Sequence, residues 1–492
     1  MITTINFADI VGGIARRFPD RAAIKSPNTT FSYRELIICA AQNAGKLGEA
    51  GVSPGMIVGL LFRDNAEAFI QMLSIWMIGA TAAPIDFRTK QQKLAELSCK
   101  FDIPVIITDR AMRDEHSFKS IVVDKVWHEQ VISNGKDIPR LSAEAAPALL
   151  IFTSGTTGKP TGIVLDHDRL LLRVLHPLPV GERDVGGRLL NPIPLSFAMS
   201  IHNTLSHMVR GGTVEYFPAL FGIAELNDAV SNPDVTSVCL VPTILRSLLD
   251  LHASRATPAY PHLKLIYCTG APLQAAEKTM AVTVLSQSFV ELYANSLSGR
   301  LTFSDELDIR ARPNSVGRIL PQVLLQIVDD DGNELSNEKT GSIRVRSPGM
   351  ARRLTGNTDT KTAGDRIVEG WVYTGDTGYI DAEGFLFLAG RDSDIIIRAG
   401  VNVHPAEVEL AFAEHPGVRE VAVVGYPTER EGEEIAAFVV ADSTVTESEL
   451  RALARARLSA DRVPRKFEFV SDLPRNENGK ILRDVLRKML DK

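Results

Sequence analysis

Four cysteines in 492 residues leave little to hold this chain together covalently. Cys39, Cys99, Cys239 and Cys268 form no CxxC pair, and none sits beside a histidine at metal-ligand spacing. That argues against a disulfide framework and a Cys/His metal site, and leaves free buried thiols in a reducing, cytoplasmic compartment as the expectation. A basic excess is also missing. The 54 Lys and Arg against 60 Asp and Glu give a formal net charge of −6, with both signs interspersed. Nucleic acid as a main partner needs a basic surface, so an anionic ligand must be met by local donors instead. Long apolar runs are absent as well. The most apolar stretch, residues 69–85, is broken by Gly79 and Pro84 and is too short for a bilayer, so it reads as a buried helix with no membrane span. Residues 1–20 lack a basic start, a long apolar core and a small-residue cleavage site; they read as an amphipathic helix and not as a secretory signal. There is no G-x-G-x-x-G, which removes the best sequence argument for dinucleotide binding. The composition sets no oligomeric state.

What is present suits a multidomain globular protein. The length exceeds what one hydrophobic core supports, so at least two domains are expected. Strand-like runs at 56–62, 103–109, 237–242 and 263–270 alternate with helix-period segments at 67–77 and 243–252. This pattern predicts α/β layers with largely parallel sheets. From residue 323 the texture changes to apolar runs around a turn at 330–332 and to strict alternation in "GSIRVRSPGM", which predicts a small antiparallel or barrel-like subdomain. "GRDSD" at 390–394 is a polar break. About 100 residues come after it, with their own apolar pattern and a helix from Glu447 to about Leu458, enough for a small α+β domain. The boundary falls near Arg391, giving 1–390 and 391–492.

The chemistry-bearing segment is "FTSGTTGKPTG" at 152–162, directly after an apolar run. It is not a Walker A loop. Gly158–Lys159 is followed by Pro160, the position five before Gly158 is Thr153, and "GIVLDH" reads as a second strand where a helix is required. The loop therefore joins two strands as a hairpin. Glycines turn backbone N–H groups toward an anion, hydroxyls donate, and Lys159 adds charge, so the composition suits phosphate. It equally suits a solvated turn.

This segment resembles the phosphate-binding signature of the adenylate-forming superfamily, which contains acyl- and aryl-CoA ligases, luciferases and peptide-synthetase adenylation domains. The resemblance covers nearly the whole chain. His167 stands where the family often has a histidine before a helix. "CTGAPL" (268–273) resembles the adenine-side strand and turn, and "YANS" (293–296) the aromatic segment against adenine. "WVYTGDTGYIDAEGFLFLAGRDSDIIIRAGVNVHPAEVE" (371–409) is the longest match, and "PRNENGKILR" (474–483) resembles the terminal lysine motif.

The resemblance implies an ATP-dependent carboxylate–CoA ligase that forms an acyl-adenylate and then a thioester, with ATP, Mg²⁺ and coenzyme A as cofactors and a fatty or aromatic acid as substrate. An acyl–carrier-protein ligase and a weakly active or non-catalytic adenylate-binding relative are the alternatives. Thr153, Ser154, Gly155, Thr156, Thr157, Gly158 and Lys159 would hold the phosphates. Gly270, Ala271, Pro272, Tyr293, Ala294, Asn295 and Ser296 would hold adenine and ribose. In a turn at "TGDTGY", Asp376 would accept from the ribose hydroxyls, or else from backbone N–H groups; Arg391 would reach the same side, or form a structural ion pair. Lys480 would bridge the carboxylate and the α-phosphate, since a flexible point charge suits a transition state in which negative charge moves. The small domain would rotate about Asp392 and Ser393 and open a thiol channel beside Ala399 and Gly400. Phe197, Ala198, Ser200 and His202 would line the acyl pocket, with His202 and His207 either touching the acid or completing a helix face. Ala198 replaces the Asp of amino-acid-activating relatives, which disfavours a substrate ammonium.

Three positions depart from the family's pattern. Leu297 stands where a Glu usually helps to hold Mg²⁺, and a leucine cannot ligate a hard cation. Thr156, Thr157 or another acid such as Glu291 would have to serve. Thr161 replaces a usual Lys, and Ser342 a usual Glu.

Overall fold

The computed structural model describes residues 5–27, 29–112, 117–131, 147–154, 160–175, 186–356, 367–398, 401–413, 415–428, 432–475 and 481–490. Two large sheets carry the α/β part. A nine-stranded sheet has a parallel centre running through Ala22–Ser26, Thr213–Tyr216, Arg188–Asn191, Ser237–Leu240, Leu265–Cys268 and Phe289–Asn295. Its edges turn antiparallel, at Thr29–Ser32 on one side and at Gly299–Ser304 and Arg318–Ile319 on the other. A seven-stranded sheet places Leu149–Ser154 beside Thr81–Pro84 in parallel and beside Pro160–Leu165 in antiparallel register. These strands read as short apolar runs because helices cover both faces.

The helix Asn65–Ile78 lies between the sheets and is buried on nearly all sides. Asp64 caps its first turn, its carboxylate accepting from the Ala66 N–H at 2.8 Å. Gly79, at φ 83°, ends it in a left-handed turn that a Cβ would strain. The single buried helix expected at 69–85 is thus a helix succeeded by a strand, Thr81–Pro84. Gly79 and Pro84 punctuate the chain as composition suggested, but the residues between them enter a sheet instead of prolonging the helix.

The small subdomain is a five-stranded antiparallel sheet built from Leu324–Val328, Gly341–Arg346, Ile367–Val368, Trp371–Ile380 and Leu386–Arg391. The C-terminal domain has a separate sheet whose central hairpin is Val418–Thr428 with Gly432–Ala441. Its strands alternate with period two. Val423, Ile435, Ala437 and Val439 face the helices Pro405–Ala413 and Glu447–Arg457, while Val424, Ala436 and Phe438 face Arg483–Leu490. Two independent small cores result, which lets this part hold together on its own sheet.

The cysteines are free, but not all buried: Cys239 and Cys268 are, Cys39 is half-buried and Cys99 is exposed. Cys99 sits on the helix Gln91–Phe101, whose apolar stripe is made by Leu94, Leu97, Ser98 and Phe101 instead. Among the described residues no helix is long and apolar enough to cross a membrane.

Candidate active site

The strands on either side of the hydroxyl-rich loop pair in register to the end, Thr153 with Thr161 and Ser154 with Pro160. Gly155, Thr156, Thr157, Gly158 and Lys159 lie outside the described residues, between two paired strand ends. Gly162 on the return strand admits no side chain, because a Cβ there would stand 2.8 Å from Leu150, Phe101 and Thr355.

The return strand runs straight into the helix His167–Leu175. His167 is buried, and its Nδ1 accepts the Phe7 N–H at 3.1 Å. Burial pushes its pKa down to about 4, so the ring is neutral and packs edge-on against Trp76. One and a half turns on, Arg173 is also buried. Its guanidinium donates from Nε to the Gly349 carbonyl at 2.6 Å, from Nη1 to that of Ser296 at 3.1 Å, and from Nη2 to that of Leu297 at 2.6 Å. Burial lowers its pKa to about 9. Arg173 therefore ties the helix after the loop to the 293–297 segment. Nothing in the sequence singled it out, apart from its place on a strongly amphipathic helix beside apolar neighbours.

That tie explains how the segment is held without the acid the family usually has. The Leu297 side chain is core, its N–H donates to Asn295 Oδ1 at 2.8 Å, and its carbonyl takes both Arg173 and the Ala351 N–H. Glu291 cannot substitute as a metal ligand. It is buried further back on the strand and paired with Lys278 at 2.5 Å, while Lys278 also donates to the Ser315 carbonyl. Among the described residues no three His, Cys, Asp or Glu side chains converge as a metal site. The described donor set does not fit a resident Mg²⁺; Thr156, the weak candidate ligand, lies in the undescribed loop.

Asp376 does not sit in a tight turn. It lies within the long strand Trp371–Ile380, opposite Arg391 on Leu386–Arg391. Gly375, at φ 76°, lets this strand kink without leaving the sheet, so the residues that read as a turn are a break in a strand. The Asp376 carboxylate accepts the Tyr293 hydroxyl at 2.6 Å and pairs with Arg391 at 3.2 Å. Burial and the Asp376 charge hold the Tyr293 phenol well above its usual pKa, so it stays a donor. Asn295 Nδ2 donates to the Thr374 carbonyl at 3.2 Å. Three sequence-distant segments, 293–297, 371–380 and 386–391, thus meet around one carboxylate. Gly270, at φ 108°, comes directly after the strand Leu265–Cys268, next to Phe289–Asn295 in the sheet, with Ala271 and Pro272 continuing the chain.

The residues expected to line the acyl pocket start the helix Ala198–Met208, with Phe197 at its N-cap, packed against the main core. Ser200 is fully buried and its hydroxyl is engaged, donating to the Ile193 carbonyl at 2.9 Å and accepting from Asn191 Nδ2 at 3.0 Å. It builds the turn into the helix. His207 is a satisfied core histidine, bonded to the Asn203 carbonyl and to Ser237 Oγ. His202 differs: its Nε2 is buried with no hydrogen-bond partner. Beside it, Arg300 from Gly299–Ser304 donates to Asn203 Oδ1 at 2.8 Å. A lone charge in the otherwise uncharged strand-like run "GRLTFS" was the available signal for Arg300.

At the expected domain boundary, Asp392–Asp394 form a single short turn of 3-10 helix. Ser342 Oγ donates to Asp392 Oδ1 at 3.3 Å, so the residue that replaces the family's Glu touches the expected pivot. Ala399, Gly400 and Lys480 lie outside the described residues. The chain on both sides of 476–480 is pinned: Arg475 bridges Ile481, the Leu482 N–H donates to the Pro474 carbonyl, and Arg475 pairs with Glu420 at 2.6 Å. Arg483 is structural, held by Glu409, Asp394 and the Val423 carbonyl.

Comparison with known proteins agrees with this geometry. The chain is 26% identical to the indoleacetate–CoA ligase of Aromatoleum aromaticum, over 96% of each chain. It is 28% identical to the fatty acid–[acyl-carrier-protein] ligase ScoC of Streptomyces coeruleorubidus, over 96% of this chain and 94% of that one. Its fold matches that of ATP-bound MatB from Rhodopseudomonas palustris with a TM-score of 0.89 at 24% identity, over 99% of both chains. The AMP-binding enzyme C-terminal domain model matches residues 407–480, and the AMP-binding enzyme model matches residues 13–354. With seven-tenths of its length matched by that second model, the chain belongs to the AMP-binding enzyme family.

Proposed function

We propose that this protein is an ATP-dependent, AMP-forming carboxylate–CoA ligase, with residues 1–390 as its nucleotide-binding part and 391–492 as a mobile domain that carries Lys480. A carboxylate oxygen attacks the α-phosphorus of ATP and pyrophosphate leaves, giving a mixed anhydride. The thiol sulfur of coenzyme A then attacks the acyl carbon; AMP leaves with the bonding electron pair, and the thiol proton goes to solvent.

The observation that carries this reading is the convergence of Tyr293 and Arg391 on Asp376. The carboxylate is fixed from two sides, and its remaining lone pairs suit a pair of vicinal hydroxyls. Arg391 both neutralises it and lies next to the pivot at Asp392 and Ser393, so ribose binding and domain position share a residue. Residues 155–159, which connect the paired strands Leu149–Ser154 and Pro160–Leu165, would cradle the phosphates, and divalent metal would arrive as part of the ATP substrate. Lys480 would neutralise the two anions that must meet in the first half. Rotation about Asp392 and Ser393 would then clear the way for the thiol beside Ala399 and Gly400. Free thiols and the lack of a membrane-crossing helix among the described residues favour a cytoplasmic enzyme.

ATP–pyrophosphate exchange across a panel of carboxylic acids tests the first half. Acid-dependent exchange supports the ligase. Its absence from a folded protein that binds ATP refutes it and favours a nucleotide-binding relative without catalysis, the reading that Leu297 would then explain. Thioester formation with coenzyme A supports the acceptor; formation only with a carrier protein moves the assignment toward the carrier-protein ligase.

A further inference from the structure

The helix Ala198–Met208 and the strand Gly299–Ser304 bring His202, Asn203 and Arg300 together. In the hairpin register Arg300 stands opposite Ala294, so it lies across from the adenine segment and next to the acyl-pocket helix. On the acid-ligase reading, the body of the acid lies along this helix.

Among the described residues the Arg300 side chain makes one hydrogen bond, from Nη2 to Asn203 Oδ1. The Asn203 amide is oriented by its other end, where Nδ2 meets Cys239 Sγ at 2.9 Å. Among the described residues no carboxylate comes within ion-pair distance of Arg300. Other buried cations in this protein are answered: Lys278 by Glu291, Arg398 by Glu434, and Arg173 by three carbonyls. Burial lowers the Arg300 pKa, and its ionisable neighbours include the Tyr267 phenol, the Cys239 thiol and Arg210, which is also positive. Cys239 offers no anion, because burial pushes its thiol up to about 12. The residue keeps partial exposure, so the guanidinium is reachable. Beside it, His202 Nε2 is buried without a partner, and burial together with Arg173 and Arg300 keeps that ring neutral.

A half-buried guanidinium with one bond, next to a buried and unpartnered imidazole nitrogen, is costly unless a ligand answers both. A carboxylate does so: it pairs with the planar fork and accepts from a neutral imidazole N–H. The reacting carboxylate is a poor match, because it loses its charge on becoming the acyl group of the mixed anhydride in the first half-reaction and would abandon the cation. A second acidic group keeps its charge through both halves.

We propose that Arg300 and His202 form a subsite for a second carboxylate, so that the acid this protein activates is a dicarboxylic acid. This rests on the acid-ligase reading above. The test compares pyrophosphate exchange for matched pairs: succinate with butyrate, glutarate with valerate, adipate with hexanoate, phthalate with benzoate. A charge-assisted contact predicts kcat/KM for the preferred dicarboxylate about 10- to 100-fold above its partner. Arg300→Gln should bring that ratio close to one, with Arg300→Lys in between. Preference for the monocarboxylate of every pair, or an equal loss for both members in Arg300→Gln, overturns the subsite and leaves the ligase standing. If no acid supports exchange, the ligase reading fails, and equilibrium binding of the same dicarboxylates to the full chain decides the subsite. Binding weakened about tenfold or more in Arg300→Gln upholds it; no binding overturns it.

Discussion

Arg173→Met is the most informative single change outside the acid pocket. Methionine keeps the aliphatic stem that packs against Gly349, where even a Cβ would stand 2.4 Å from Arg173 Cγ. What is lost is three donated bonds, and the three acceptors fare differently. Ser296 is exposed, so its carbonyl rehydrates. The Leu297 carbonyl keeps the Ala351 N–H at 2.7 Å. The Gly349 carbonyl is left on a buried residue without its side-chain donor. One orphaned buried acceptor costs about 1–3 kcal/mol. Against that, removing a buried charge recovers desolvation energy, and replacing buried charges with apolar side chains sometimes stabilises a protein. The guanidinium is already matched by three carbonyl dipoles, so we expect the first effect to win, with a net loss of about 2 kcal/mol. Urea unfolding of the large domain, monitored by tryptophan fluorescence, reads it, since Trp76 is fully buried there. The 293–297 segment also loses two tethers and must be re-ordered by nucleotide. About 1.4 kcal/mol of ordering would weaken ATP roughly tenfold in exchange assays. A variant as stable as the parent, with unchanged ATP dependence, would refute the tethering argument.

Lys480→Ala should lower adenylation by about a hundredfold or more while leaving thioester formation from supplied acyl-adenylate mostly intact; equal loss in both halves removes its proposed role. Ser393→Pro stiffens the short turn at Asp392–Asp394 and should impair thioester formation more than exchange, whereas unchanged overall turnover would argue against rotation there. Below pH 6.5 the unfolded chain takes a proton on His167 that the folded protein, with its pKa near 4, refuses until later. Stability is therefore full above pH 6.5 and falls as the pH drops toward 4, by about 2 kcal/mol at pH 5 from this residue alone. Urea titrations at pH 7 and pH 5 should show that slope reduced in His167→Asn, and an unchanged slope would place the proton elsewhere.

The local patterns were legible because they are short-range. Period-two and helix-period apolar runs located most strands and helices, and the failure of the Walker pattern, together with the strand-like "GIVLDH", implied the hairpin that Leu149–Ser154 and Pro160–Leu165 form. The small α+β domain after residue 390 was visible as a second apolar pattern. Motif order along the chain was enough to place it among adenylate-forming enzymes.

What the sequence could not decide is which side chains meet across the fold. "TGDTGY" has turn composition, yet strand pairing with Leu386–Arg391 outweighs it, because a single glycine at φ 76° absorbs the kink while the ladder continues. Glu291 has the chemistry of a metal ligand, but the fold spends it on Lys278. His202 and His207 lie five residues apart on one helix; only packing satisfies His207 and leaves the Nε2 of His202 without a partner. Arg173 and Arg300 read as ordinary basic residues until the hairpin and two helices close around them. Burial and partnership are properties of neighbours that the fold brings together from elsewhere in the chain, so only tertiary structure could assign them.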